Sequence, residues 1–365
     1  MKKLRIKTLI KYEFRIKNLY ELFQYDERRK RNMKIDVFNH IIPVKYKEAL
    51  YRKMQPGAYT RRLIEAFPSL TELDVRFRII DKYEGLLQVI TTGAPPVEDI
   101  TEPEDSVELA KIANDEMAEL VLKYPDRFPA AVACLPMNDI DAALEEVDRS
   151  ITELGFRGVQ IHSDINGKPL DSPEFLPLFE KMSQYNLPIL LHPEIRTNQV
   201  PDYPGETESY HMIHIIFAWP YRTTVAMTRL AMSGIFEKLP NLKIITHHCG
   251  AMIPFFEQRI NVAYMSHQSR MGFKHAQVLT RRPLEYFRMF YADTALYGSS
   301  PGLACGYAFF GADRMLFATD MPYDPQLGDI YIRETIRAIE EMAITDREKK
   351  KIFEDNAKDL MRLPV

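Results

Sequence analysis

The feature that most constrains the fold is the segment LKIITHHCG at residues 242–250, where an apolar run ends abruptly in two histidines. Short apolar runs bounded by turn residues are typical of strands buried on both faces of a parallel sheet. Residues 187–193 (LPILLHP) and 315–322 (MLFATDMP) follow the same pattern, ending in a histidine and an aspartate. In a (β/α)₈ barrel, active sites lie at the carboxyl ends of the strands. Three such strands therefore predict an enzyme.

Length and composition agree with one barrel. The chain has 365 residues and a hydrophobic fraction of 46%, whereas a barrel of this type needs about 250 residues. A net charge of −3 gives no electrostatic reason to expect nucleic acid as a partner. The three cysteines lack metal-type spacing, which indicates free thiols in a reducing compartment. With neither a membrane-length apolar run nor a signal-peptide pattern, we expect a cytoplasmic protein without a membrane partner.

The first 32 residues differ from the rest, with eleven Lys and Arg against four acidic residues. A basic arm for nucleic acid or an anionic membrane is one interpretation. The other, which we favour, is a wrongly assigned start codon, with translation beginning at Met33. Either way, we expect a basic extension at 1–32 and the barrel domain at 33–365.

From Met33 onward, strand-like and helix-like segments alternate, as expected of βα units. Helices are predicted over residues 104–123 and 139–154, the second with Asp139 or Asn138 as its N-cap. Insertions are predicted after strand 1, at 41–80 over the barrel mouth, and between strands 5 and 6, at 203–239. The pattern predicts a (β/α)₈ TIM barrel with strands at 34–38, 86–91, 130–135, 158–162, 187–191, 242–246, 288–292 and 315–319.

Four side chains at predicted strand ends are candidates for chemistry: His40, His192, His248 and Asp320. Imidazole and carboxylate groups are good ligands for zinc and similar divalent metals, and His248 is alternatively a general acid or base. Adjacent residues of a strand point to opposite faces. The turn at Gly250 favours His248 facing the cavity, with His247 supporting it or packing behind.

Several motifs together resemble the amidohydrolase-related family typified by aminocarboxymuconate-semialdehyde decarboxylase, which also contains hydroxybenzoate decarboxylases. The matching pieces cover nearly the whole barrel in the expected order. They are IDVFNH at 35–40, GFRGVQIH at 155–162, LPILLHP at 187–193, HCGAMIP at 248–254 followed by Arg259, and FATDMP at 317–322.

The resemblance implies a TIM-barrel lyase that removes CO₂ from a small aromatic or unsaturated carboxylic acid, with one divalent metal ion, zinc or manganese. His40, His192 and Asp320 fall on metal-ligand positions. His248 falls on the general acid/base, and Asp320 is counted with it as catalytic. Arg259 falls on an arginine that binds the substrate carboxylate, in some members across a dimer interface, so a homodimer is expected.

One residue departs from the family pattern. The first-strand motif is His-x-His or Glu-x-His in the family, but here it is Phe38-Asn39-His40, and phenylalanine cannot ligate a metal. His162 or a substrate oxygen is a candidate to fill the position. Two alternatives to the lyase therefore stay open. One is a hydrolase of a lactone, amide or related bond, possibly metal-free, and the other is a barrel that has lost its metal and its catalysis.

Overall fold

The structure is a computed structural model, and it describes residues 32–55, 57–93, 95–193, 202–271 and 279–365. The predicted basic extension therefore lies outside the described residues apart from Asn32. The helix predicted over 104–123 is confirmed as Pro103–Lys123. The helix predicted over 139–154 is confirmed as Ile140–Thr152, and Asp139 caps it by accepting a hydrogen bond from the Ala142 N–H at 3.0 Å.

Parallel strands form the centre of the fold. Neighbouring strands pair in chain order, so each βα unit places its strand beside the previous one. Isolated bridges at Ala131 and Ala133 connect the second strand to the fourth and occupy the third position. The regular strands are Lys34–Ile41, Leu86–Thr92, Val159–His162, Ile189–His192, Ile244–Thr246, Tyr291–Asp293 and Met315–Leu316, and a short hairpin adds Asp164–Ile165 and Lys168–Pro169.

The ring closes between its last and first strands. The Val37 N–H donates to the Phe317 carbonyl at 3.0 Å, and the Asp320 N–H donates to the Phe38 carbonyl at 3.0 Å. With the third position included, eight segments form a closed barrel, and the (β/α)₈ prediction is confirmed. Apolar side chains such as Ile35, Val89 and Leu190 fill its interior.

The third predicted strand, at 130–135, is less regular than expected. The side chain of Asn114 takes the place of a neighbouring strand there. Its amide nitrogen donates to the Cys134 carbonyl at 2.9 Å, and its oxygen accepts from the Cys134 N–H at 2.9 Å. The helix side chain thus satisfies the backbone at Cys134, while the bridges at Ala131 and Ala133 hold the rest of the segment between its neighbouring strands.

Helices surround the barrel, and several of them lie in the two predicted insertions. None of the helices among the described residues has both the length and the apolar character that a membrane crossing requires. The α-helices are Val44–Lys53, Tyr59–Ala66, Leu73–Ile80, Pro103–Lys123, Ile140–Thr152, Leu176–Tyr185, Trp219–Met232, Ile235–Lys238, Glu257–Met271, Pro283–Phe287, Ser300–Phe310, Asp329–Glu340, Asp346–Lys350 and Asn356–Met361. π-helical turns occur at His214–Ala218 and Lys351–Asp355, and 3₁₀ turns at Pro68–Leu70, Val97–Asp99, Pro173–Phe175, His248–Gly250 and Ala312–Arg314.

Candidate active site

The four predicted strand-end side chains lie together at the carboxyl end of the barrel. His40 Nε2 is 3.0 Å from Asp320 Oδ1, and His248 Nε2 is 3.6 Å from Asp320 Oδ2. The rings of His40 and His192 are 5.2 Å apart between centroids. All four residues are buried, none more than 7% exposed. The cluster thus combines three imidazoles and one carboxylate away from bulk water.

Backbone carbonyls orient two of these imidazoles. His192 Nδ1 lies 2.7 Å from the Pro193 carbonyl, and His40 Nδ1 lies 3.3 Å from the Thr92 carbonyl. His40 has a second acceptor, Asp320 Oδ1, which lies 3.0 Å from its Nε2. For His192 the acceptor is the Pro193 carbonyl, and since a carbonyl oxygen only accepts, Nδ1 of His192 carries the proton. In the neutral ring, Nε2 then has a free lone pair. This is the tautomer in which a histidine binds a metal through Nε2.

A fifth side chain, His247, belongs to the same cluster. It is fully buried, its Nδ1 donates to Asp293 Oδ2, and its Nε2 lies 3.3 Å from Asp320 Oδ1. Of the two expected places for His247, supporting His248 or packing behind it, the contacts favour the first, because the two rings lie 4.0 Å apart and both side chains contact Asp320. The strand ends at Thr246, and His248 has a φ of 55°, so strand alternation no longer applies at the two histidines.

Sequence reasoning missed Asp293, which follows the predicted seventh strand directly. It is fully buried, and its Oδ1 also accepts hydrogen bonds from the N–H groups of Cys249 and Ala295, at 3.0 and 3.1 Å. These bonds connect the end of the seventh strand to the turn that carries His248. A carboxylate ending a buried apolar run is the same signal that identified Asp320, and it was available in the sequence.

Burial and mutual charge set the protonation of the cluster. Burial foremost, and then the neighbouring His40, lower the pKa of His192 well below its usual value. Burial and then His247 lower the pKa of His248. For His247 itself, burial lowers the pKa, but the carboxylates of Asp293 and Asp320 outweigh burial and raise it to about 10. His192 and His248 are therefore neutral imidazoles at neutral pH.

Asp320 keeps its charge despite burial. Burial alone would raise its pKa, but the surrounding histidines, His247 foremost, hold the pKa of Asp320 well below its usual value. Tyr297, also missed in the sequence, donates to Asp320 Oδ2 at 3.0 Å and lies 3.5 Å from His248 Nε2. Burial, and then the charge of Asp320, raise the pKa of Tyr297 well above its usual value, so its hydroxyl stays a donor.

A cavity of about 290 Å³ opens onto the cluster. Its walls are mainly aromatic and aliphatic, and its floor carries the polar atoms. A mostly apolar pocket with a few convergent polar groups is typical of a small-molecule site. The lining side chains are Tyr59, Leu63, Phe67, His192, Met212, Ile215, Trp219, His248, Tyr297, Asp320, Tyr323 and Tyr331.

Comparison with protein families decides where this barrel belongs. The family described as Amidohydrolase matches residues 80–363, which is more than half of the chain. The chain belongs to the amidohydrolase family. The resemblance inferred from the strand-end motifs of this amidohydrolase is therefore confirmed.

Individual relatives of this amidohydrolase are named as decarboxylases. A gamma-resorcylate decarboxylase of Rhodococcus jostii is 30% identical over 319 residues, covering 84% of this chain and 92% of the relative. The 2-amino-3-carboxymuconate-6-semialdehyde decarboxylase of Dictyostelium discoideum is 27% identical over 338 residues, which cover 87% of this chain and 89% of the relative. A solved dihydroxybenzoic acid decarboxylase of Polaromonas sp., with bound manganese and 2-nitroresorcinol, is 29% identical with a TM-score of 0.74, covering 91% of this chain and 97% of that chain.

The remaining predicted site residue, Arg259, lies apart from the cluster. It is exposed on the helix Glu257–Met271 and is not among the cavity-lining side chains in the described part of the chain. The structure thus brings His40, His192, His248 and Asp320 together but does not bring Arg259 to them within one chain.

Two overlapping sets of side chains in this amidohydrolase are suited to hold a metal. The ligand atoms of His40, His192 and His247 lie within 4.8 Å of one another, and so do those of His247, His248 and Asp320. Nitrogen and carboxylate donors at such spacing suit zinc and manganese. The donor set therefore fits a divalent cation, although Phe38 occupies one family ligand position.

Proposed function

We propose that this amidohydrolase is a metal-dependent carboxy-lyase that removes CO₂ from a small aromatic or unsaturated carboxylate. The observation that carries the proposal is the cavity with aromatic walls and a floor of His192, His248 and Asp320. Such walls accept a flat ring by stacking and apolar burial. The names of the relatives support the same reaction.

In this proposal, His40, His192 and Asp320 hold one divalent metal ion. A cation at this position supplies Lewis-acid stabilisation of negative charge on substrate oxygens. The manganese in the Polaromonas relative supports manganese. The imidazole-rich donor set supports zinc as the other candidate.

The side chains of the protein itself handle the proton. In decarboxylation the bond to the carboxyl carbon breaks, its electron pair stays on the ring carbon, and a proton bonds there as CO₂ leaves. We assign this transfer to His248, whose buried ring borders the cavity and is neutral at neutral pH, so that it can first act as a base. It accepts the acidic proton of the substrate, delivers that proton to the ring carbon as CO₂ leaves, and ends as the neutral imidazole. Asp320 and the Tyr297 hydroxyl, 3.6 and 3.5 Å from His248 Nε2, hold the imidazole in position.

We further propose that Arg259 anchors a substrate carboxylate in the cavity of a second copy, within a homodimer. Its exposure outside its own cavity supports this arrangement. An arginine guanidinium matches a carboxylate with two parallel hydrogen bonds. The cytoplasmic location and the reducing compartment expected from the sequence stay predictions.

Release of CO₂ tests the proposal directly. Protein loaded with manganese or with zinc is incubated with a panel of hydroxybenzoates, and CO₂ and the decarboxylated ring are quantified together. We expect equal amounts of both products for at least one acid. Consumption of acids without CO₂ release, or cleavage of lactones and amides by the same preparation, would favour the hydrolase alternative. Inactivity on all three classes, despite bound metal, would favour a non-catalytic barrel.

A further inference from the structure

The Phe38 ring packs against three imidazoles of the cluster. It is fully buried, and its centroid lies 5.7 Å from that of His40 and 5.9 Å from that of His192. Its closest ring partner is His247, stacked at 4.0 Å with an interplanar angle of 19°. The side chain at the family's first ligand position therefore packs flat against an imidazole supplied by another strand.

His247 has the orientation of a metal ligand. Its Nδ1 donates to Asp293, whose other oxygen is fixed by two backbone N–H groups. Its Nε2 makes no well-aligned hydrogen bond among the described residues, and it faces Asp320 Oδ1 at 3.3 Å. A histidine that donates one nitrogen to a carboxylate is the usual arrangement of a metal-binding imidazole, and at Nε2 a cation would take the place of the proton.

The distances around Asp320 fit a shared cation. His40 Nε2 and His247 Nε2 lie 3.0 and 3.3 Å from Asp320 Oδ1. Two ligands of a tetrahedral zinc ion, with bonds of about 2.0–2.1 Å, are about 3.3 Å apart. His192 directs its Nε2 lone pair away from the Pro193 carbonyl that its Nδ1 faces. The ligand atoms of His40, His192 and His247 lie within 4.8 Å of one another, a spacing that one cation can bridge.

We propose that His247 supplies the metal ligand that Phe38 has removed, so that His40, His192, His247 and Asp320 together hold the divalent cation. The proposal rests on the proposed function only in assuming that this site takes a metal. The ligand has moved around the barrel from the first strand to the turn after the sixth. Asp293 is its positioning residue, and Phe38 packs against the ring of the new ligand.

Metal affinity, measured without substrate, tests the assignment. Apo protein is titrated with Zn²⁺ and with Mn²⁺ against a chelator of known affinity. We expect His247→Ala to weaken binding by on the order of 100-fold or more, and Asp293→Asn by about 10–100-fold. His162→Ala is the matched control, because its ring lies 5.2 Å from that of His192 at the same barrel end. The metal affinity of the His162→Ala variant should differ from that of the wild type by less than about threefold.

A compensating variant separates loss of a ligand from loss of folding. Phe38→His in the His247→Ala background restores an imidazole at the family position, and we expect it to recover at least tenfold in affinity. X-ray absorption on the zinc form should count three histidines in the wild type and two in His247→Ala. Circular dichroism of each apo variant verifies the fold.

The outcomes distinguish this inference from the proposed function. Unchanged metal affinity in His247→Ala, or a large loss in His162→Ala instead, would overturn the ligand assignment and leave decarboxylation untouched. A wild type that binds no metal would overturn it as well. Normal metal binding through His247 without CO₂ release from any acid would keep the assignment and refute the proposed reaction.

Discussion

At the residue scale, one carboxylate organises the site. Asp320 has His40 and His247 beside Oδ1, at 3.0 and 3.3 Å, and Tyr297 and His248 beside Oδ2, at 3.0 and 3.6 Å. Side chains that share one partner have coupled energies, so substitutions among them are not additive. The predictions at this scale therefore change one contact at a time.

Replacing His248 by alanine should remove proton transfer but leave the metal ligands in place. We expect a loss of about 10²–10⁴-fold in the rate of CO₂ release, the usual contribution of a general acid or base. Metal content by elemental analysis should stay near that of the wild type. His211→Ala, which removes an exposed histidine, is the control. Full activity in His248→Ala would exclude it from the mechanism.

Tyr297→Phe removes one hydroxyl and keeps the aromatic ring that stacks on Tyr331 at 4.3 Å. A hydrogen bond to a charged acceptor contributes about 1.5–3 kcal/mol, so we expect kcat to fall about 10–100-fold. Because the cavity wall is retained, KM should change little. Tyr291→Phe is a matched control outside the cavity lining. A changed KM with an unchanged kcat would contradict the role of Tyr297 in positioning His248.

Sequence patterns predicted part of this cluster for a physical reason. His40, His192, His248 and Asp320 each lie at or shortly after the carboxyl end of a strand, and barrel geometry brings such ends together. The place of His247 depended on a left-handed turn just after the strand, which Gly250 signals only in general terms. No motif pointed to Tyr297, because its position comes from a φ of 55° in a loop.

At the scale of elements, the long apolar strands were predictable and the irregular segments were not. Residues 189–192 and 244–246 form strands where the buried apolar runs predicted them. The segment at 130–135 pairs with its neighbours through isolated bridges at Ala131 and Ala133, and near its end Asn114 on a neighbouring helix bonds the backbone of Cys134. That contact spans twenty positions of sequence and leaves no local pattern.

A carboxylate inside the barrel joins three strands. Asp36 Oδ2 accepts from the Thr319 hydroxyl at 2.7 Å and from the Gln88 amide at 3.1 Å, and its Oδ1 accepts from the Thr319 N–H at 3.1 Å. Thr319 directly precedes Asp320, so this network also fixes the approach of the eighth strand to the site. The closure of the barrel and the geometry of the site depend on the same residue.

Asp36→Ala should therefore destabilise the protein strongly. Each buried donor left without an acceptor costs about 1–3 kcal/mol, so we expect the free energy of unfolding to fall by at least about 3 kcal/mol in urea denaturation. Asp36→Asn, which keeps one acceptor oxygen, should lose less. Asp313→Ala removes a carboxylate that is 76% exposed and paired with Lys351, and should cost at most about 1 kcal/mol. Equal losses in Asp36→Ala and Asp313→Ala would contradict this role.

At the scale of the whole molecule, the barrel begins with the strand Lys34–Ile41, and Met33 packs partly buried against the apolar interior. Each following strand pairs with a neighbour in the ring, up to the closing contacts of the eighth. We therefore propose residues 33–365 as the folding unit of this amidohydrolase.

A chain that starts at Met33 should unfold at the same temperature as the full-length chain, within about 2 °C by calorimetry, because the strands and the closing contacts of the barrel all follow Met33. For a domain of this size, a shift of about 2 °C corresponds to about 1.4 kcal/mol. Both chains should bind metal with equal affinity. A markedly lower melting temperature of the shorter chain would mean that residues before Met33 stabilise the barrel.

The side chains that line the cavity come from two different parts of the chain. The polar floor comes from the barrel strands and the turns after them, whereas Tyr59, Leu63 and Phe67, with Met212, Ile215 and Trp219, come from the two insertions. Half of the lining is thus encoded apart from the reactive side chains, while Tyr297, Tyr323 and Tyr331 reach the cavity from segments after the last two strands. Changes within the insertions can therefore alter the shape of the cavity while leaving the reactive floor in place.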